Sequence, residues 1–223
     1  YSIECIREFS GQLLAELVRH MFQSFAACYF SGGKFYPPLL RAHTDSIVRL
    51  ILEGRNGSVL ENLPFGIVAV KEYGAFRLCA GESLQPVWPE DFEVKIGSPE
   101  EFPVNVEGLS VEGRVLSASD PDIRFTRHSQ KEYLSLEALK FPLVIKGLQG
   151  AERMVPLGMT GSVLVSDIFT NKKIPVIERR RALAVYDREG IVWLYPYVIA
   201  ERVKLKSRVE NTSGVLELKI TCS

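Results

Sequence analysis

Histidine is scarce in this sequence, and nothing beside it would make it reactive. The three histidines, His20, His43 and His128, lie far apart, and none stands near a G-x-S-x-G nucleophile turn. The four cysteines, Cys5, Cys28, Cys79 and Cys222, form no C-x-x-C pair and have no histidine at metal-ligand spacing. A zinc site needs three or four converging ligands. No metal is therefore expected, and the cysteines read as buried or stray thiols of a reducing compartment. No apolar run reaches the roughly 18 residues of a membrane-crossing helix. The start, Tyr1-Ser2-Ile3-Glu4, lacks the basic and apolar regions of a signal peptide. It also lacks Met, so a trimmed or excised fragment is expected. Internal repeats and low-complexity tracts are missing too.

Net charge is absent overall but not locally. Of 27 basic and 27 acidic residues, 14 basic and 8 acidic lie from residue 138 onward, a net of +6. The remainder carries 13 basic and 19 acidic residues, a net of −6. This asymmetry suggests that the basic half meets an anion such as nucleic acid.

What is present is a mixture of helical and strand periods. Ile3, Ile6, Phe9, Leu13, Leu14, Leu17, Val18, Met21, Phe22 and Phe25 recur at three-and-four spacing, which predicts an amphipathic helix over residues 3 to 26. A second helix is expected from about Ala42 to Leu52, ended by Gly54 and Gly57 in left-handed conformation. Ile67 to Val70, a Tyr73-Gly74 turn and Phe76 to Leu78 read as a β-hairpin. Short alternating stretches such as Phe92 to Ile96 and Leu109 to Val115 predict strands in a connecting segment. Further strands are expected at Phe141 to Ile145, Ile191 to Leu194 and Val215 to Ile220. A helix is expected near Val165 to Phe169, capped by Ser162 or Ser166 and continuing weakly toward Arg181. The predicted fold class is α+β. Residues 1–82 form a small helical domain with a hairpin, 83–137 a connecting β-strand segment, and 138–223 a mixed α+β domain with a mainly antiparallel sheet.

Chemistry is hard to find. Ser31-Gly32-Gly33-Lys34 invites a phosphate-loop reading, but Tyr36-Pro37-Pro38 follows where a helix would have to begin. No catalytic centre emerges. Basic residues are more informative: Lys172-Lys173, Arg179-Arg180-Arg181, Arg202, Lys204, Lys206 and Arg208. Phosphate binding is a sum over such charges. Alternation in Val203-Lys204-Leu205-Lys206 would put both lysines on one strand face. Tyr186, Trp193, Tyr195 and Tyr197 are candidates for stacking on bases, though such residues more often sit in a core.

The order of motifs carries a resemblance. Phe141-Pro142-Leu143-Val144-Ile145-Lys146 is followed by Glu152-Arg153, Pro156-Leu157-Gly158-Met159-x-Gly161-Ser162, Ser166-Asp167-Ile168-Phe169, Lys172-Lys173-Ile174-Pro175 and Ile191-Val192-Trp193. This resembles the C-terminal domain of the tRNA(Ile)-lysidine synthetase family. Leu63 to Ile67 and Tyr73-Gly74 are similar to that family's middle, substrate-binding domain. Departures occur at Gly150-Ala151-Glu152-Arg153, where the family has Gly-Asp-Arg. Val163 and Leu164 stand at usually basic positions, and Tyr195-Pro196-Tyr197-Val198 where a Gly and an Arg are usual.

The resemblance implies a ligase that uses ATP to join lysine to the wobble cytidine of the CAU anticodon of isoleucine tRNA. Its Ser-Gly-Gly-x-Asp-Ser loop belongs to an N-terminal domain, and Phe35-Tyr36 stands here where Asp-Ser would be. This portion is expected to hold tRNA and to be inactive alone, with no cofactor of its own. ATP and lysine would be substrates of the complete enzyme. Arg153, Lys172, Lys173, Arg179, Arg180 and Arg202 are the expected phosphate contacts, some ringing a helix N-terminus beside Ser162. A cytoplasmic location is expected, with isoleucine tRNA as partner and no membrane; a homodimer is left open. The alternative is a non-catalytic protein–protein interaction module, its acidic first half docking on a basic surface.

Overall fold

The computed structural model describes residues 1–9, 11–30, 39–85, 87–106, 108–117, 120, 123, 130–205 and 214–222. The Ser31 to Lys34 run, His128, Lys206 and Arg208 lie outside the described residues. The chain divides into two units. One comprises residues 1–85 and 173–179, the other 86–172 and 180–223.

The first unit is built on the expected helices and hairpin. The long helical pattern is two helices, α1 (Ile3–Arg7) and α2 (Gly11–Tyr29). Leu14, Val18, Met21, Phe22 and Ala26 form the buried stripe of α2. Phe9 and Leu13, expected inward, are exposed. Phe9 falls between the helices, and Leu13 lies on the far face of α2, about 145° from the centre of the buried stripe. Helix α3 (Arg41–Glu53) buries Thr44, Ile47 and Ile51, and the Thr44 hydroxyl bonds back to the Leu40 carbonyl.

Gly54 does cap α3, but not in the left-handed conformation expected: its φ is −58° and its ψ 148°. An added Cβ would overlap the Leu50 carbonyl oxygen, so close approach selects glycine here. The left-handed turn falls later, at Gly57 (φ +85°). Lys71 Nζ donates to the Ile51 carbonyl at 2.6 Å, placing a buried cation at the carbonyl end of α3. Strands β1 (Val59–Leu60), β2 (Ile67–Glu72) and β3 (Ala75–Ala80) form an antiparallel sheet in the order β1-β2-β3. One face, with Ile67, Ala69 and Phe76, packs on the helices. The other, with Val68 and Val70, packs against Leu84, Val176 and Ile177. Covered on both faces, β2 is buried throughout.

The second unit holds the remaining strands: β4 (Glu93–Ile96), β5 (Val104–Val106), β6 (Leu109–Leu116), β7 (Lys131–Ser135), β8 (Leu143–Gly147), β9 (Arg153–Met154) and β10 (Val163–Leu164). Helix α4 (Val165–Asn171), then β11 (Leu183–Asp187), β12 (Gly190–Tyr195), β13 (Val198–Ile199) and β14 (Val215–Cys222) complete it. Among the described residues, five strands form a sheet ordered β13-β12-β11-β8-β4 and four form one ordered β5-β6-β14-β7. All pairings are antiparallel. The expected α+β class with a mainly antiparallel sheet is what the chain forms. The segment from 83 to 137, expected as a connector, supplies β4 to one sheet and β5, β6 and β7 to the other. Long-range pairing of β14 between β6 and β7 integrates it into the second unit.

Glu132 on β7 is paired with Leu218, half-buried on the apolar side of its sheet. Burial pushes its carboxyl up to about 7, against a smaller opposing pull from a backbone hydrogen bond. The folded chain therefore keeps a proton that the unfolded chain has released. Stability falls as pH rises from the ordinary carboxyl range through 7. Discounted for partial exposure, the effect is about 1 kcal/mol. Glu132→Gln is expected to raise the melting temperature at pH 8 and to leave it unchanged near pH 4, as read by calorimetry.

Candidate nucleic-acid interface

The expected phosphate contacts divide between the units. Arg153, Lys172, Arg180 and Arg202 belong to the second, Lys173 and Arg179 to the first.

Arg153 lies on β9, opposite Leu164 of β10. Its Nη2 donates to the Ser162 carbonyl at 2.8 Å, and its Nε lies 3.4 Å from the Ser162 hydroxyl. An exposed cation thus fastens both ends of the loop running from Met154 to Val163. Pro156 and Gly158 make a tight turn as expected: Met159 N–H donates to the Pro156 carbonyl at 3.0 Å, and Gly158 has φ +83°. The turn does not present its N–H groups to an anion. Gly158 N–H donates to Glu201 Oε2 at 2.7 Å, and Leu157 N–H to the Ile199 carbonyl at 2.9 Å. Lys204 and the Gly158 N–H together hold the Glu201 carboxyl below its usual range. An acid of this chain occupies the bend.

The helix N-terminus fails the same expectation. Leu164, not a serine, precedes α4, with no side-chain cap. Ser162 is engaged with Arg153, and Val165 N–H donates to the Glu152 carbonyl at 2.9 Å. The helix spans seven residues and carries Asp167 in its first turn.

Lys172 is exposed at the carbonyl end of α4, where its N–H donates to the Ile168 carbonyl at 2.9 Å. Its cation complements the helix dipole there. Lys173 is exposed and left-handed, with φ +55°, which stops the helix that was expected to run on. A single helical turn at Val176–Arg179 follows, and Val176 N–H donates to the buried Glu72 at 2.7 Å. Arg179 is half-buried and works inside the first unit: Nε donates to the Ile174 carbonyl at 2.8 Å and Nη2 to the Tyr73 hydroxyl at 3.0 Å. Arg180 is half-exposed, its carbonyl accepting from Val87 N–H at 3.3 Å.

Arg202 departs furthest from expectation. Its guanidinium grips Asp187 with two bonds, Nη1 to Oδ2 at 2.9 Å and Nη2 to Oδ1 at 2.5 Å. Glu189 lies 3.6 Å away, and the Ala138 and Gly190 carbonyls each accept at 3.3 Å. Burial alone would raise the Asp187 carboxyl. Arg202 and the N–H groups of Glu189 and Lys140 outweigh it and hold the group below its usual range. Arg202 is a fastener within the second unit.

The aromatic candidates are also largely internal. Trp193 and Tyr195 are buried, in edge-to-face contact at 5.1 Å. Tyr197 packs edge-on against Phe169. Tyr186 donates a short hydrogen bond to Glu152 and has Lys146 Nζ 4.7 Å from its ring centre. Burial, then Glu152, drives its phenol upward. In the described part of the expected Val203 to Lys206 strand, Val203 instead closes a tight turn over Glu201–Val203, with Val203 inward and Glu201 reaching Gly158. Among the described residues no group of three or more His, Cys, Asp and Glu is placed to hold a metal, and no helix is long and apolar enough to cross a membrane.

No family model matches the chain. Curated proteins do. A tRNA(Ile)-lysidine synthase of Geobacter sulfurreducens is 31% identical over 156 residues, covering 68% of this chain and 31% of that protein. One of Clostridium acetobutylicum is 24% identical over 208 residues, covering 93% of this chain and 42% of its own length. A solved structure of a TILS C-terminal domain gives a TM-score of 0.45 at 18% identity over 59% of this chain and 98% of that one, too slight a likeness to add weight. Relatives from Caldanaerobacter subterraneus and Symbiobacterium thermophilum, 25% and 28% identical over 80% and 77% of this chain, bear the same name. This chain belongs to the tRNA(Ile)-lysidine synthase family. It spans about a third of the length of the first relative it matches and two fifths of the second.

Proposed function

We propose that this chain is the tRNA-holding, C-terminal portion of a tRNA(Ile)-lysidine synthase. Its partner is isoleucine tRNA bearing the CAU anticodon, in the cytoplasm. In this reading the remainder of the enzyme uses ATP to activate the wobble cytidine for attack by lysine, and this portion alone is inactive. The single observation that carries the reading is sequence likeness to such synthases along 93% of the chain.

The exposed cations support the holding role. Arg153, Lys172 and Lys173 are exposed and Arg180 half-exposed. Arg179 and Arg202 are spent inside their own units, on Ile174 and Tyr73 and on Asp187, and are left out of the proposed contacts. Phosphate contacts of this kind set affinity and position rather than base identity. Neutralising Arg153, Lys172, Lys173 and Arg180 together is expected to weaken binding of a CAU-anticodon tRNA transcript by tenfold or more, a rough figure for lost phosphate contacts. Fluorescence anisotropy checks it, with circular dichroism confirming the fold. Unchanged affinity would contradict the assignment of these residues, and absence of binding by the parent chain would contradict the function.

A further inference from the structure

The four-stranded sheet carries a charged outer face that none of the family motifs touches. On β14, Leu216, Leu218 and Ile220 are buried while Glu217 and Lys219 alternate with them. Glu217 stands opposite Arg114 on β6 and Tyr133 on β7; Lys219 stands opposite Glu112 and Lys131. Period-two geometry puts Arg114, Lys219 and Lys131 on one face of three consecutive strands, spread over roughly 10 Å.

Glu217 organises this face. Its side chain is 8% exposed, yet both oxygens are engaged. Oε1 accepts from Arg114 Nε at 2.9 Å and Nη2 at 2.7 Å, and Oε2 from Lys131 Nζ at 3.0 Å. Burial alone would raise the carboxyl; Lys131 and Arg114 outweigh it and keep it ionised. One carboxylate thus fixes two cationic heads side by side, while the Arg114 side chain remains 61% exposed. Lys219 and Glu112 form an exposed pair at 2.9 Å, the weak kind that another anion displaces at little cost. An open cavity of about 550 Å³ is lined by Glu112, Arg114, Gln130, Lys131, Glu217 and Lys219. Three cations face two acids, one of them buried and already matched. Among the described residues, the cavity lining offers no apolar or aromatic anchor, as the centre of a protein interface would. A row of cations without such an anchor suits a polyanionic backbone.

We propose that this face is a second phosphate-contact surface for the same RNA. Arg114, Lys131 and Lys219 meet backbone phosphates, and Glu217 is the positioning residue. The proposal rests on the tRNA-holding reading.

Amine-reactive labelling of the unaltered 223-residue chain, read by mass spectrometry with and without a CAU-anticodon tRNA transcript, tests it. Lys131 and Lys219 are expected to label several-fold more slowly in the complex, relative to Lys95 on β4 of the other sheet. In a second arm, Arg114→Gln, Lys131→Gln, Glu217→Gln and Lys219→Gln are combined, removing the buried acid together with its cations. Affinity is expected to fall several-fold, and the slope of log affinity against log salt to shrink by roughly two to three. Binding with unchanged labelling at both lysines overturns the proposal and leaves the tRNA reading standing. Protection by polyglutamate but not by tRNA overturns it in favour of an acidic protein partner. No tRNA binding at low salt overturns both.

Discussion

Trp193→Ala is expected to cost about 3–5 kcal/mol, the range for emptying a fully buried large aromatic. Trp193 lies at the middle of β12, next to the sheet's central strand, with no exposed surface. Its register partners are Val185 on β11 and Ile199 on β13, so its loss leaves a void that close-packed strands cannot fill. For a chain of this size the melting temperature should drop by roughly 10 °C. Trp193→Phe is expected to be much milder. The indole N–H is buried with no hydrogen-bond partner among the described residues, so phenylalanine gives up volume but also removes an unsatisfied donor. Calorimetry of both variants checks the pair. Equal losses would contradict the cavity account of this site.

Asp187→Ala is expected to cost about 2–4 kcal/mol. Removing one member of a buried ion pair strips the other of its main compensation, here leaving Arg202 with Glu189 at 3.6 Å and two carbonyls. The Asp187 side chain has no exposure, and Arg202 is 30% exposed, which sets the figure below that of a fully buried pair. The change also strips an acceptor from the N–H groups of Lys140 and Glu189. The pH dependence has a definite sign. A carboxyl held low in the folded state contributes stability that is full above its ordinary range and fades as pH falls through its lowered value. Denaturant unfolding of the parent chain should therefore weaken on acidification, and the Asp187→Ala variant should show less of that change. A parallel acid profile in the variant would count against this pair.

Much of the fold was legible where local pattern and tertiary demand agree. The stripe Leu14, Val18, Met21, Phe22 and Ala26 is helical at any scale of reading, and Ile67 to Ala80 carries its own turn at Gly74 (φ +78°). The run Ile191-Val192-Trp193-Leu194 is buried on both faces, which is why it reads as continuously apolar. What stayed hidden depends on distant partners. Glu217 meets Arg114 across 103 positions, and Val176 meets Glu72 across 104. No spacing rule reaches that far. The segment from Lys173 to Arg179 carries basic residues like its neighbours, yet its apolar Val176 and Ile177 pack on the first unit's hairpin.

The candidate site was less legible than the fold, because charge in a sequence does not say whether it is spent internally. Arg202 and Lys172 look alike as letters; one is gripped by Asp187 and the other is exposed beyond a helix end. The glycine-rich bend at Gly158 has the letters of an anion seat, but its N–H donates to Glu201 of the same chain. Arg114, Lys131 and Lys219 form no local charge cluster, being single charges on separate strands. The alternation of Leu216, Glu217, Leu218 and Lys219 was the available signal.

The salt dependence of tRNA affinity tests the central claim most directly. Each phosphate contact releases close to one counterion, so log affinity plotted against log salt should be linear with a slope of about −3 or steeper. A slope near zero, or no binding at 50 mM salt, roughly the low end of the usual range, would contradict the account.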